Sequence, residues 1–373
     1  VKITDVRAIR LRATIPAEGQ VTSRSGVRES RTTALVRVET DSGIRGLGSC
    51  SGNGAIVRFI LEQVIKPAVL GMDPTDIDAL WRKLYFGPRA RQLGLRGIGF
   101  VALSGFDVAL WDIRGKAEGA PVYKLLNDEP RERVEVYATA LYPDEIKKVV
   151  DRALGLVEQG FKGIKMKIGF DVAGDIERVR AVREAVGGKF PLMSDANMGY
   201  DLPTAERAAQ ALAGLNVGWL EEPMFFADAE AHAKLKASTK IPIALGENLH
   251  TVYDFEQFIA RRAVDVLQPD VARAGGISEI VRIAALADSH RLPISLHTWG
   301  DGVALAASLH LSAALKNAIV MELDTTYNPL RTEILRAPLE ARNGLMSPPD
   351  APGLGVDLDP RALERFAFSG EES

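Results

Sequence analysis

Short apolar runs recur from Gly163 to Glu322, and most of them end in a residue that can bind a metal ion or move a proton. Pro191-Leu192-Met193-Ser194 ends at Asp195, Gly218-Trp219-Leu220 at Glu221, and the run from Ile241 to Gly246 at Glu247. Val264 to Pro269 ends at Asp270, Leu292 to Leu296 at His297, and Ala318 to Met321 at Glu322. The closing residues stand 23 to 27 positions apart, close to what a strand, a helix and two short loops require. Such units in series, each with a buried strand, build a (β/α) barrel. In such barrels the chemistry sits at the carboxyl ends of the strands, so a polar residue closing each run is what the architecture demands.

With 373 residues, the chain exceeds a barrel and leaves room for a smaller domain. A net charge of −3 gives no reason to expect a nucleic-acid or anionic-membrane partner. The one cysteine, Cys50, cannot pair within the chain, which fits a reducing cytoplasm; beside Gly48 it reads as a packing residue. No apolar run has the length of a membrane span, and Val1 to Ala13 alternates like a strand rather than a signal peptide.

Residues 1 to about 125 read as a separate α+β unit. Val1–Ala13, Ala34–Thr40 and Ile44–Ser49 have strand alternation, the last two joined by the turn Asp41-Ser42-Gly43. Thr14 to Arg31 is long for a hairpin loop, which favours a functional lid or a disordered segment. Its arginines, Arg24 and Arg28, could meet a carboxylate or hydroxyl-rich ligand, or simply face water. A Gly/Arg-rich connection spans 87 to 97, and Ile98 to Glu118 reads as a long helix rich in small residues. Val134 begins the first barrel strand, and the second carries Lys165 and Lys167.

Asp195, Glu221 and Glu247 would lie at the tips of three successive parallel strands spaced ~4.8 Å apart, so their carboxylates can converge. One acid at a strand end is usually paired with a local Lys or Arg; three in succession call for a cation. All-oxygen ligands favour Mg2+, with Mn2+ second. Lys165 and Lys167 point the same way because the strand period is 2. Repulsion between them, and a cation nearby, would lower the pKa of each, fitting Lys167 to move a proton and Lys165 to anchor the substrate oxygen or the ligand shell. His297 with Asp270 one strand away forms an acid/base pair in which the carboxylate fixes the imidazole. Arising from strands two and seven, Lys167 and His297 would flank a substrate on opposite faces. A cation offsetting the charge of an enediolate would then permit abstraction of a proton α to a carboxylate.

These residues resemble the enolase superfamily, and within it the mandelate racemase subgroup of the mandelate racemase/muconate lactonizing enzymes. The resemblance is carried by Lys165-Met166-Lys167, Asp195-Ala196-Asn197, Glu221-Glu222-Pro223, Gly246-Glu247-Asn248, Gln268-Pro269-Asp270 with Gly275-Gly276, and His297. Pairing a Lys or His base with Mg2+ is an established pattern of that superfamily. The resemblance implies an α/β fold: a modified (β/α) TIM-type barrel over 126–325, an α+β capping domain over 1–125, and a C-terminal segment, 326–373, that returns to the capping domain. It implies mobile lid loops near 14–31 and 50–54, and a Glu322 that hydrogen-bonds the substrate carboxylate. Asn197, His250 and Arg24 are the other expected substrate contacts.

The ending, with His250, His297-Thr298-Trp299-Gly300, Met321-Glu322-Leu323-Asp324 and Asn328-Pro329, is most similar to the galactarolactone and anhydrogalactonate cycloisomerases. The expected activity is cycloisomerisation of a sugar-acid lactone or anhydro sugar acid. A sugar-acid dehydratase is the alternative, a racemase or epimerase the third reading, and a non-catalytic binding paralogue the reading outside enzymes. The expected partner is a small carboxylate, with no nucleic acid or membrane, in a homo-oligomer.

Overall fold

A computed structural model of the chain describes residues 1–24, 26–88, 93–94 and 96–370. Part of the Gly/Arg-rich connection at 87–97 and one position of the 14–31 lid stretch lie outside the described residues.

Alternation in the N-terminal unit becomes an antiparallel sheet of Ile3–Thr14, Ser30–Thr40 and Arg45–Cys50, with Ser30–Thr40 in the middle. Val6 pairs with Val38, and Val36 with Gly48. The helix Ile98–Glu118 lies against this sheet so closely that a Cβ on Gly48 would come within 1.9 Å of the Gly105 carbonyl oxygen. A Cβ on Gly105 would in turn meet Cys50 Sγ at 2.3 Å. Cys50 is therefore a packing residue; burial raises its thiol to about 12. The stretch 14–31, expected as a loop, carries a short hairpin in which Val21–Ser23 pairs with Gly26–Arg28.

The barrel strands Val134–Leu141, Ile164–Lys167, Leu192–Asp195, Leu220–Glu221, Ile243–Leu245 and Val266–Leu267 run parallel in chain order. Helices follow them on the outside, and Met321–Asp324 pairs back onto the first strand. The seventh position differs from the sequence expectation. Leu292 to Leu296 forms no continuous strand; isolated bridges join Ile294 to Leu267 on one side and Ala318 on the other. Pro293 has no N–H to give the ladder, and its carbonyl only accepts from Leu267 N at 3.1 Å. Glu322 lies inside the last strand rather than beyond it, whereas Glu247 and Asp270 follow the ends of Ile243–Leu245 and Val266–Leu267, Asp270 bridging to His297.

The interior of the barrel is layered by the strand period of 2. Tyr137, Met193, Trp219, Ala244 and Val266 pack together as an apolar floor. Two residues further along their strands come Thr139, Asp195 and Glu221, all buried. Outward positions such as Ile164 and Met166 join the larger core against the helices. The C-terminal segment runs back along both units. Leu345–Met346 pairs with the first barrel strand, Gly353 O accepts from Val122 N at 3.0 Å, and Leu354 N donates to Asp112 Oδ1 at 2.8 Å. Asp301, at the start of the helix Gly302–Ala314, accepts from Thr33 Oγ1 and Ser49 Oγ at 2.5 Å each, tying sheet to barrel. No described helix is long and apolar enough to cross a membrane.

Candidate active site

Asp195, Glu221 and Glu247 present one oxygen each within 4.8 Å of one another. The residues that follow the first two ligands are bent into the left-handed region: Asn197 at φ 40° and Glu222 at φ 38°. For Glu222 such backbone costs on the order of 1–3 kcal/mol and persists only because its surroundings fix it. Asn248 Nδ2 donates to both Glu222 oxygens, at 2.8 and 3.0 Å, and burial beside Glu247 and Asp195 holds that carboxyl well above its usual range. Asn197, expected at the substrate, also props the triad: its backbone N donates to Asp195 Oδ1 at 2.9 Å.

Lys165 is fully buried and sits 2.5 Å from Glu221 Oε1, 2.8 Å from Glu322 Oε1 and 3.6 Å from Asp195 Oδ2. Lys167 pairs with Asp195 Oδ2. Burial alone pulls both ammoniums down, but Glu221 and Glu322 around Lys165, and Asp195 beside Lys167, outweigh it and raise both. A divalent cation on the same carboxylates would oppose the lysine charges, the direction the sequence expectation takes. Asp195 feels the reverse: burial pushes its carboxyl up, and the two lysines bring it down to about 2.

His297 Nδ1 lies 2.6 Å from Asp270 Oδ2. Its Nε2 approaches Glu247 Oε2 to 3.1 Å as an ion pair without hydrogen-bond alignment. Burial lowers the imidazole, but Glu247, Glu322 and Asp270 together raise it to about 10. Glu322 stands at the same centre. Its Oε1 accepts from Thr139 Oγ1 at 2.5 Å and pairs with Lys165, and its Oε2 accepts from Thr298 N at 3.1 Å. Although burial opposes ionisation, Lys165 and His297 hold it at about 2. Between these partners Glu322 supports Lys165 at 2.8 Å and lies 3.6 Å from His297 Nε2.

A cavity of about 400 Å³ opens at His297 and Asp270, between Trp299 on the barrel side and Arg28, Arg31 and residues 49–53 of the N-terminal unit. Arg24 is not among its lining residues; it is exposed at the turn of the lid hairpin, while Arg28, paired with Val21 at the end of the hairpin away from the turn, lines the cavity. His250 lines a neighbouring cavity with Arg96 and Phe226, its ring edge-on to Phe100. Sequence reading did not assign roles to Gln268 or Trp219, which donate to Glu221 Oε2 at 2.7 and 3.1 Å. Trp219 had a legible signal, since it stands two strand positions before Glu221. Thr139 and Arg31 meet their partners 183 and 293 residues away, and no local pattern marks them.

This donor set suits a hard divalent cation: all oxygen, convergent, and with one oxygen, Glu247 Oε2, lacking a hydrogen bond. Residues 6–127 match the family model of the mandelate racemase / muconate lactonizing enzyme N-terminal domain, and residues 148–362 the enolase C-terminal domain-like model. The D-galactarolactone cycloisomerase of Agrobacterium fabrum is 41% identical over 91% of this chain and 92% of its own. The arabinonate dehydratase of Saccharolobus solfataricus is 36% identical over 88% and 89%. The crystal structure of a racemase from Streptomyces coelicolor with bound magnesium superposes with a TM-score of 0.89 at 31% identity, covering 98% of this chain and 100% of that one.

Proposed function

Since the chain belongs to the mandelate racemase / muconate lactonizing enzyme family with its enolase-like C-terminal domain, we propose that it is a Mg2+-dependent cycloisomerase. Its substrate would be a sugar-acid lactone or anhydro sugar acid. The observation that carries the reading is the placement of two proton carriers on different members of one triad: Lys167 against Asp195, and His297 against Glu247. Asp195, Glu221 and Glu247 would hold Mg2+, or Mn2+ in its place, and the cation would offset the charge that develops on the substrate carboxylate. Lys167 takes the proton α to that carboxylate. His297, oriented by Asp270, holds a proton on the opposite face. Lys165 and Glu322 fix the charge pattern around both. The assembly is taken as a homo-oligomer, which light scattering tests.

A sugar-acid dehydratase is the second reading. It is favoured by the His297–Asp270 pair, 2.6 Å apart, in which the carboxylate supports an imidazolium able to protonate a departing hydroxyl. Proton NMR in D2O over a panel of sugar acids, lactones and anhydro acids separates the outcomes. A ring-opened isomer with no water lost supports the cycloisomerase. A keto acid formed with loss of water transfers the assignment to dehydration, and α-proton exchange with inversion to racemisation. No Mg2+-dependent exchange on any of them would leave a binding protein.

A further inference from the structure

The cavity wall facing His297 is built from two guanidiniums and one indole. Arg28 Cζ lies 4.7 Å and Arg31 Cζ 4.2 Å from the centre of the Trp299 ring. The two arginines differ in what else holds them. Arg31 is buried and ion-paired to Asp324 Oδ2 at 3.0 Å, yet its Nη1 is buried without a hydrogen-bond partner. Arg28 is half-buried on the lid hairpin with its guanidinium over the ring of Trp299, and among the described residues no carboxylate hydrogen-bonds or ion-pairs with it. Stacking uses the face of a guanidinium and leaves its in-plane N–H donors free, in the fork that matches a carboxylate. Burial and the neighbouring Arg31 work against the Arg28 charge more than Tyr142 and Asp324 support it, so Arg28 can take a further anion.

The chemistry proposed above produces one. The step requires a lactone with a free carboxylate whose β-carbon carries the ring oxygen and whose α-carbon carries a hydroxyl. Once the α-proton is removed, the C–H electron pair forms the Cα–Cβ double bond, and the Cβ–O bond breaks with its pair going to the ester oxygen. The ring opens and that oxygen becomes part of a second carboxylate. The enol left at the α-carbon returns to the ketone by losing its hydroxyl proton and gaining one at the β-carbon; the α-proton, taken by Lys167, balances the new carboxylate and passes to solvent, so the product is an isomer of the lactone in its acid form. A hydroxide leaving group needs a proton donor; a carboxylate leaving group needs only a cation beside it.

Resting on the cycloisomerase reading, we infer that Arg28, with Arg31 behind the same indole, receives the carboxylate set free by ring opening, so that the site takes substrates whose products are dicarboxylates. Arg28 is the specificity-determining residue of the pair, because Arg31 is already engaged by Asp324.

The test is calorimetric binding of two open-chain probes of equal length, an aldarate dianion and an aldonate monoanion, to Mg2+-loaded wild type and Arg28→Gln. Wild type is expected to prefer the aldarate by about tenfold or more, and R28Q by less than about threefold. On a lactone that wild type opens, R28Q should lower kcat by about tenfold or more and change KM little, because the carboxylate exists only after the bond begins to break. Arg28→Lys, which keeps the charge without the fork, should fall between. Equal binding of both probes by wild type, or an aldarate preference that survives in R28Q, overturns the inference. A wild type that opens no lactone defeats the cycloisomerase reading, while the binding comparison still decides the role of Arg28.

Discussion

His297 stands between two carboxylates, with Nδ1 2.6 Å from Asp270 Oδ2 and Nε2 3.1 Å from Glu247 Oε2. One acid orients the ring and the other belongs to the triad, so the imidazole couples proton transfer to the site meant for the cation. Asp270→Asn keeps the shape and removes the charge that selects the ring's protonated form. It is expected to lower kcat by roughly 10²-fold or more with little change in KM. Steady-state kinetics check this; an unchanged kcat would remove Asp270 from the mechanism.

Lys167→Ala and His297→Asn should fail differently. Lys167→Ala should abolish α-proton exchange into solvent D2O, whereas His297→Asn should retain exchange at the Lys167 face and lose product formation by roughly 10²–10⁴-fold. NMR exchange at both variants makes the comparison; exchange surviving in Lys167→Ala would reassign the base.

Gln268 and Trp219 steer the second oxygen of Glu221. Groups that orient metal ligands commonly contribute 10- to 100-fold in affinity, so Gln268→Leu is expected to weaken Mg2+ binding by about that factor. Calorimetric titration with Mg2+ measures it, and an unaltered affinity would mean that Glu221 needs no such support.

Lys165 is the fully buried cation among Asp195, Glu221 and Glu322. Removing it in Lys165→Met leaves buried carboxylates uncompensated, a loss of about 3–5 kcal/mol. Saturating Mg2+ should restore part of the lost thermal stability, since a cation at the triad replaces some of the missing charge. Melting with EDTA and with Mg2+ tests this. Equal melting temperatures for variant and wild type in EDTA would contradict it.

His310 gives a pH dependence unrelated to catalysis. Its Nδ1 accepts from Tyr123 N at 3.2 Å and its Nε2 donates to Leu354 O at 3.1 Å, which fixes a neutral ring. Burial lowers it to about 4, from an ordinary value of 6.5. The unfolded chain therefore binds more protons between those values, and stability is fully present above about pH 6.5 and falls as pH drops toward 4. The full loss from this group is on the order of 3 kcal/mol. His310→Gln should flatten that slope in denaturation curves at pH 7 and pH 4.5; an identical slope would show that His310 does not set it.

The recurrence of apolar runs closed by Asp195, Glu221, Glu247, Asp270 and His297 was enough to give a barrel and to put these residues at one end of it. Strand period and strand spacing are local rules, and they carry directly from sequence to geometry. The long helix at Ile98–Glu118 was legible for the same reason, its small residues answering Gly48 on the sheet.

What the sequence left open are the quantities set by what lies across the barrel. Lys165 and Lys167 are neighbours in the chain, but carboxylates from other strands decide their charge. Arg28 rather than Arg24 reaches the cavity because the hairpin pairing sets which residues sit at its tip. Glu322 became an acceptor with both oxygens engaged only when Thr139, Lys165 and Thr298 were brought to it. Periodicity is written along the chain and survives reading in one dimension. Electrostatics and burial depend on distances between residues hundreds of positions apart, and those distances exist only once the barrel has closed.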